Sequence, residues 1–174
     1  PDRETFARTM DALGFGDEHL VVAYDDRGGA VAARLWWMLR DLGHRAVHVL
    51  DGGIPAWVGA GYPVTDEVPT FPPATLTVGA AITRQIDRES LSSRLDSTTV
   101  IDARSPERFR GDEEPIDPVA GHIPTARNAP YEANVAADGT FLRREELATR
   151  YRALGADDPD TAVYCGSGVT ACHD

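Results

Sequence analysis

The stretch Thr161-Ala-Val-Tyr-Cys165-Gly-Ser-Gly-Val-Thr170-Ala-Cys-His173 decides how the rest of the chain is interpreted. Its short apolar run predicts a buried strand that ends immediately before Cys165. The two glycines that follow predict a tight turn, and the residues after them can begin a helix. A strand that leads through a glycine-containing turn into a helix is a common way to present a nucleophile. Because turn N–H groups and a helix N-terminus both favour thiolate over thiol, we expect Cys165 to be unusually reactive.

An internal repeat relates this stretch to an earlier one. Residues 20–24 and 161–164 each follow an Ala-Leu-Gly sequence closely, and each leads into a Gly-rich turn. When the tyrosines that end the two segments are aligned, Asp25 stands at the position of Cys165. The first copy is therefore predicted to have the same turn without the nucleophile.

Strand-like and helix-like segments alternate along the whole chain. Apolar residues at helical spacing, or typical helix-start residues, predict helices over residues 4–13, 30–42, 54–60 and 83–95, from Ser105-Pro106 onward, and over 143–154. Short apolar runs predict strands over residues 20–24, 46–50 and 99–102, near 122–128, and over 161–164. This alternation predicts an α/β fold in which parallel sheets are flanked by helices.

The repeat also indicates how the chain is divided. The Pro-rich stretch after Gly61 has little periodicity, which is typical of a linker. We therefore predict that residues 1–65 form the C-terminal part of a first domain and that residues 66–80 form a linker. Residues 81–174 are then a second domain that lacks its C-terminal part. Since both domains are predicted to be incomplete, we expect a parent protein of roughly 280 residues.

Composition limits the class of partner. The chain has 174 residues, of which 42% are hydrophobic, and a net charge of −11 with a pI near 4.8. This acidity argues against nucleic acid or an anionic membrane as a partner. No apolar run approaches the roughly 18 residues that a membrane helix needs. Two cysteines near the C-terminal end make no disulfide framework, which predicts a reducing, cytoplasmic location. Because the chain begins at Pro1 rather than with methionine, the sequence leaves open whether a leader segment has been removed.

Four phrases of the sequence resemble the rhodanese family of sulfurtransferases, and they occur in the order in which that family has them. They are Leu50-Asp-Gly-Gly-Ile-Pro-Ala-Trp57, Val100-Ile-Asp-Ala-Arg104, Gly121-His-Ile-Pro124 and Cys165-Gly-Ser-Gly-Val-Thr-Ala171. The last phrase is most similar to the branch that resembles 3-mercaptopyruvate sulfurtransferase. The resemblance implies two tandem rhodanese-like domains, of which the first is inactive and the second is catalytic.

The resemblance also implies a reaction. Cys165 would attack the outer sulfur of a small anionic donor, thiosulfate or 3-mercaptopyruvate, and become a persulfide. The sulfur would then pass to a thiol or to cyanide, with a thioredoxin-like protein as one candidate acceptor. We expect the loop residues to bind the negative charge of the sulfur; they are Gly166, Gly168, Val169 and Thr170. No cofactor is implied, and the cysteines and histidines lack the paired spacing of a zinc site.

Further residues are assigned to the site. Ser167 matches a catalytic serine of mercaptopyruvate-type relatives, although a hydroxyl at this position is also typical of turns and helix caps. Arg108 matches the donor-binding arginine of the family, and Arg104 is expected to assist it, since a guanidinium suits a carboxylate or a thiosulfonate. The alternative for both arginines is a solvated helix face. Asp102 is expected to orient the site. Mercaptopyruvate-type relatives have a second arginine about nine residues after the first, where this chain has Glu114-Pro-Ile-Asp117.

Two other functions are alternatives to sulfur transfer: a non-catalytic binding module and a cysteine phosphatase. A non-catalytic rhodanese-like binding module would have a vestigial loop, which the intact Cys165 and its contrast with Asp25 argue against. A cysteine phosphatase needs an arginine six residues after its cysteine to hold the oxyanion, and this chain has Ala171 there. We also expect a structural role for His122 and a core position for Cys172. The family's Gly-His-Ile-Pro phrase usually continues with glycine, whereas this chain has Thr125.

Overall fold

The computed structural model describes residues 2–81 and 84–174. Its α-helices are α1 (Arg3–Ala12), α2 (Ala32–Asp41), α3 (Gly53–Gly59), α4 (Arg88–Ser92), α5 (Pro106–Arg110) and α6 (Arg144–Ala153). Its strands are β1 (Val21–Ala23), β2 (Val47–Val49), β3 (Val100–Asp102), β4 (Arg127–Asn128) and β5 (Ala162–Tyr164). Short 3-10 turns occupy Tyr131–Asn134 and Thr170–Cys172. The predicted α/β class is confirmed.

The first unit is built on the parallel pair β1 and β2, in which Val21 lies opposite Val47. One face of this pair packs against α1 and α2, whose apolar residues recur at helical spacing. The core comprises Phe6, Ala7, Met10, Val21, Leu39, Leu42, Val47 and Leu76. Leu76 comes from the predicted linker, and its N–H donates to the Asp11 carboxylate over 2.6 Å. The last part of the linker therefore packs onto the first unit.

The second unit is a parallel three-stranded sheet in the order β4–β3–β5. The central strand β3 is buried along its whole length. In contrast, β5 is only half-buried, and Val163 is 37% exposed because this strand is paired on one side only. The prediction that residues 161–164 form a strand is thus confirmed, whereas the prediction that this strand is buried is wrong.

The helix predictions hold with two changes. Ser105 caps α5 as expected, because its side chain accepts a hydrogen bond from the Arg108 N–H and Pro106 is the first helical residue. The helix predicted over residues 83–95 is confined to Arg88–Ser92, and residue 83 lies outside the described residues. The helix predicted after Cys165 is only the 3-10 turn Thr170–Cys172.

The two units meet at the end of the chain that contains this 3-10 turn. His173 Nε2 lies 2.8 Å from the Gly28 carbonyl oxygen, and Arg34 of α2 donates to the Gly168 carbonyl over 3.4 Å. The Phe141 N–H also donates to the Asp51 carboxylate over 2.7 Å. Groups of the first unit therefore support the segment that follows β5. Among the described helices, none has the length and apolar character that crossing a membrane requires.

Candidate active site

The carboxyl ends of the three strands of the second sheet form the site. Asp102 at the end of β3 lies opposite Asn128 of β4 on one side and Tyr164 of β5 on the other. In open sheets of parallel strands, ligands bind outside these carboxyl ends. Cys165 is the first residue after β5, so the sheet places its thiol at this edge.

Cys165 lies half-buried in a tight loop that wraps around its sulfur. The Gly168 N–H donates to Sγ over 3.0 Å. Gly168 has a φ of +73°, a left-handed conformation that a residue with a Cβ adopts only at a cost, and this conformation is part of the loop that brings its N–H to the sulfur. Gly166 and Ser167 are exposed at the mouth of the loop. The loop backbone thus holds the sulfur next to two exposed residues.

The loop changes the acidity of the thiol. Burial alone would raise the pKa of Cys165, but the Thr170 hydroxyl and the backbone N–H groups of Ala171, Ser167 and Gly168 donate to the sulfur. Their combined effect is larger, so the pKa of Cys165 is lowered from its ordinary value. A larger fraction of Cys165 is therefore thiolate, the nucleophilic form, at neutral pH.

The residues after the loop form a 3-10 turn, Thr170–Cys172. An α-helix would direct the Cys172 N–H to the Gly168 carbonyl, but this N–H donates to the Val169 carbonyl over 3.2 Å. The Gly168 carbonyl instead accepts the Cys172 thiol over 3.2 Å and Arg34 over 3.4 Å. The loop N–H groups and the Thr170 hydroxyl stabilise the thiolate.

The second cysteine has the opposite character. Burial raises the pKa of Cys172, although Arg34 opposes this change from a distance of 3.5 Å. Its sulfur acts as a donor to a carbonyl oxygen, which requires the protonated thiol. The structure therefore separates the two cysteines into one thiol that ionises easily and one that does not.

Arg104 and Asp102 form a buried ion pair beneath the site. The Asp102 side chain is fully buried, and it accepts from Arg104 Nε over 3.0 Å and from Nη2 over 2.7 Å. Arg104 is 6% exposed, and its Nη2 also donates to the Gly121 carbonyl over 2.6 Å. Asp102 holds the pKa of Arg104 above its ordinary value, whereas burial is the main cause that raises the pKa of the neighbouring Tyr164 to about 12. Asp102 thus orients Arg104 directly.

Arg108 lies beside the Cys165 loop. A Cβ built on Gly166 would be 3.5 Å from Arg108 Nη2 and 3.3 Å from Asp117 Oδ2. The guanidinium is already paired, since Nε and Nη2 donate to Glu114 over 3.2 and 2.8 Å, and Nη2 donates to Asp117 over 2.8 Å. The structure therefore brings Arg108 to the mouth of the site together with two carboxylates of its own chain.

The pairing of Arg108 with Glu114 and Asp117 was not predicted from the sequence, although both residues stand where relatives have a second arginine. Glu114 is 5% exposed and also accepts the N–H groups of Ile116 and Asp117. Arg108 first, and these two N–H groups after it, lower the pKa of Glu114 to about 2. Both carboxylates lie in the acidic, Pro-rich segment 111–120, a composition typical of a loop. Its one available signal was the location of these acidic residues within nine positions of Arg108.

The remaining predicted residues lie at the edges of the site. His122 stacks on Phe109 with ring centroids 3.7 Å apart, and its Nδ1 lies 2.7 Å from the Phe109 carbonyl oxygen. Thr125 has a φ of +71°, the left-handed conformation that glycine adopts freely. Within residues 2–81 and 84–174, no cluster of three or more His, Cys, Asp or Glu side chains could hold a metal ion.

A family model, curated relatives and solved structures all match nearly the whole chain. The sequence model of the Rhodanese-like domain matches residues 1–60 and 87–173. A probable 3-mercaptopyruvate sulfurtransferase of Pseudomonas aeruginosa is 43% identical over 99% of this chain, and a putative thiosulfate sulfurtransferase, SseB, of Mycobacterium tuberculosis is 40% identical over 98%. The chain spans 63% and 62% of the lengths of these two relatives. The crystal structure of SseA from Escherichia coli superposes with a TM-score of 0.84 at 30% identity, over 99% of this chain and 66% of SseA.

Proposed function

Because this chain belongs to the rhodanese-like family, we propose that it transfers a sulfane sulfur from a small anionic donor to an acceptor through a persulfide on Cys165. The observation that carries the proposal is the environment of Cys165. Its sulfur lies at the carboxyl edge of a parallel sheet and accepts the Gly168 N–H, and its pKa is lowered. These are the requirements of a thiolate nucleophile.

The first half of the reaction forms the persulfide. With thiosulfate, the Cys165 thiolate attacks the outer sulfur, a new S–S bond forms, and the old S–S bond breaks with its electron pair leaving on sulfite. With 3-mercaptopyruvate, the C–S bond breaks instead, and the departing carbon receives the proton of the donor thiol, which gives pyruvate. The outer sulfur of the persulfide carries the negative charge, and the N–H groups of the loop are suited to stabilise it.

The second half returns the enzyme to its starting state. Cyanide or a thiolate attacks the outer sulfur of the persulfide, and the S–S bond breaks with its electron pair returning to Cys165. The exposed mouth at Gly166 and Ser167 leaves room for this approach. We propose a thiol as the natural acceptor, with a thioredoxin-like protein as one candidate, and the reducing cytoplasm as the location.

Donor binding is assigned to the same mouth. Arg108 lies beside Gly166 and supplies a guanidinium for the anionic group of the donor, while Arg104, held by Asp102, supports it from below. We propose that Gly168, Val169 and Thr170 surround the sulfur and that the exposed Ser167 contacts the donor. Since the relatives are described as mercaptopyruvate and thiosulfate sulfurtransferases, the proposal includes both donors.

Intact-mass analysis tests the proposal. Incubation of the full natural protein with thiosulfate or 3-mercaptopyruvate should add one sulfur atom, and cyanide should remove it with formation of thiocyanate. The Cys165→Ser protein should gain no sulfur and lose turnover, because an alcohol is far less acidic than a thiol and forms no persulfide. The matched Cys172→Ser protein should still gain the sulfur. Thiocyanate formation by Cys165→Ser at the parent rate would refute the proposal.

A further inference from the structure

We propose that Asp117 is an internal competitor of the sulfur donor, because it occupies the guanidinium of Arg108 and leaves when the anionic group of the donor binds. This inference rests on the proposed function, in which Arg108 binds the donor. The starting observation is that Arg108 Nη2 donates to Asp117 Oδ2 over 2.8 Å. A donor that uses this guanidinium must therefore share it or take it from Asp117.

The two carboxylates on Arg108 differ in how firmly they are held. Glu114 takes the Nε and Nη2 edge in a bidentate pair, accepts two backbone N–H groups, and is 5% exposed. The Asp117 side chain is 34% exposed, and its short contact with a cation is the one with Arg108, since Arg104 Nη1 is 3.7 Å away. Glu114 is thus a fixed part of the site, whereas Asp117 can turn to solvent without leaving a buried charge.

The charge balance gives a reason for the exchange. Two guanidinium groups, Arg104 and Arg108, are in contact with three carboxylates, so the cluster carries one net negative charge. An anionic donor that entered while Asp117 stayed would add a second negative charge at contact distance. If Asp117 turns outward, the donor replaces one anion with another and the balance at Arg108 is kept.

The position of Asp117 also matches that of the expected donor. Its Oδ2 lies 3.3 Å from a Cβ built on Gly166, the residue next to Cys165. The carboxylate therefore fills the space in which a small donor would present its own anionic group to Arg108 while its sulfur approaches the thiolate. Since thiosulfate and 3-mercaptopyruvate both carry such a group, the competition should weaken both donors.

The test separates donor affinity from chemistry. In the full natural protein, Asp117→Asn keeps the backbone contact with Glu114 but removes the competing charge. The KM for thiosulfate and for 3-mercaptopyruvate should fall by roughly tenfold, the value of about one charge-assisted hydrogen bond, while kcat stays unchanged. Asp112→Asn is the matched control, because Asp112 belongs to the same loop but pairs with the exposed Arg110. It should leave both constants unchanged.

A double-mutant cycle identifies the partner through which Asp117 acts. In an Arg108→Ala background, Asp117→Asn should no longer lower KM. A parent and an Asp117→Asn protein with the same KM would overturn the inference, and so would a KM that falls equally in both backgrounds. Thiosulfate binding to the unreactive Cys165→Ser protein, measured with and without Asp117→Asn, gives the same comparison without turnover. If Asp117→Asn tightens thiosulfate binding as expected but the parent protein transfers no sulfur, the proposed function is refuted and the inference about Asp117 stands.

Discussion

The turn after β1 and the loop after β5 both stabilise a negatively charged side chain with backbone N–H groups, but the side chain is a carboxylate in one and a thiolate in the other. Each follows a tyrosine, and each surrounds the next side chain with backbone N–H groups. The Asp25 carboxylate accepts four of them, from Arg27, Gly29, Val31 and Ala32, over 2.8–2.9 Å. The Cys165 sulfur accepts the Gly168 N–H over 3.0 Å and is stabilised by those of Ser167 and Ala171.

The two side chains differ in how much of each is ionised at neutral pH, because their ordinary pKa values differ. Burial opposes the charge of Asp25, but the four N–H groups outweigh it and lower its pKa, so this anion is permanent at neutral pH. The thiolate of Cys165 is a conditional anion, because its pKa starts near 9 and the loop must lower it. The two turns share the arrangement of backbone N–H groups. Whether the anion is a permanent carboxylate or a nucleophilic thiolate depends on the side chain that these groups surround.

Cys165→Asp would break the comparison most completely, because it converts the loop into a second copy of the Asp25 turn. We expect turnover to fall by at least about a thousandfold, since a carboxylate forms no persulfide. The thermal midpoint should stay at the parent value or rise, because the loop N–H groups suit a carboxylate. Cys172→Asp is the contrasting variant: it places a carboxylate against the Gly168 carbonyl and should lower the midpoint. Calorimetry and a thiocyanate assay measure the two effects.

Asp25→Asn should have the next largest effect, and it acts on stability. An amide oxygen cannot satisfy four N–H groups, so we expect a loss of about 2 kcal/mol in the free energy of unfolding at neutral pH. The pKa of Asp25 is lowered in the folded state, so its contribution is complete above its unfolded pKa of about 3.9 and disappears as the pH falls through the folded value. The difference from the parent should therefore shrink in acid. Denaturant titrations at several pH values would show this, with the exposed Asp26→Asn as a control that changes little.

Thr170→Val sharpens the comparison with the smallest change. The variant keeps the shape of the side chain and removes the hydroxyl that donates to Cys165, so the pKa of Cys165 should rise. Alkylation by iodoacetamide as a function of pH measures that pKa directly. In a Cys172→Ser background Cys165 is the single remaining thiol, so the curve belongs to one group. An unchanged curve would assign the lowered pKa to the backbone N–H groups alone.

Regular elements and the position of Cys165 directly after a strand could be predicted from the sequence because both are local properties. Every strand of the structure lies within or next to a predicted apolar run, and the repeat identified Asp25 as the counterpart of Cys165. The burial of β5 could not be predicted in this way, because it depends on which strands lie beside it. The contact of Arg34 with the Gly168 carbonyl likewise could not be predicted, because the two residues are more than a hundred positions apart.

The acidic loop shows a second limit of sequence reasoning. In the segment 111–120, between α5 and β4, Asp112 pairs with Arg110 at the surface. Glu114 instead turns inward and binds Arg108. This inward orientation depends on the path of an irregular segment of backbone. Periodicity gives no information on such a path, so a predicted donor-binding arginine turned out to have carboxylate partners already.

The contact between the two units joins the turn after β1 to the segment that follows Cys165. The Gly28 carbonyl oxygen lies 2.8 Å from His173 Nε2. At Gly29, whose φ is +90°, a Cβ would lie 3.0 Å from the Phe141 ring and 3.4 Å from His173 Nε2. A mutation in a turn without a nucleophile would therefore disturb the segment that follows the nucleophile of the other unit. The two turns of the internal repeat therefore share one packing constraint, although Asp25 stands where the other turn has Cys165.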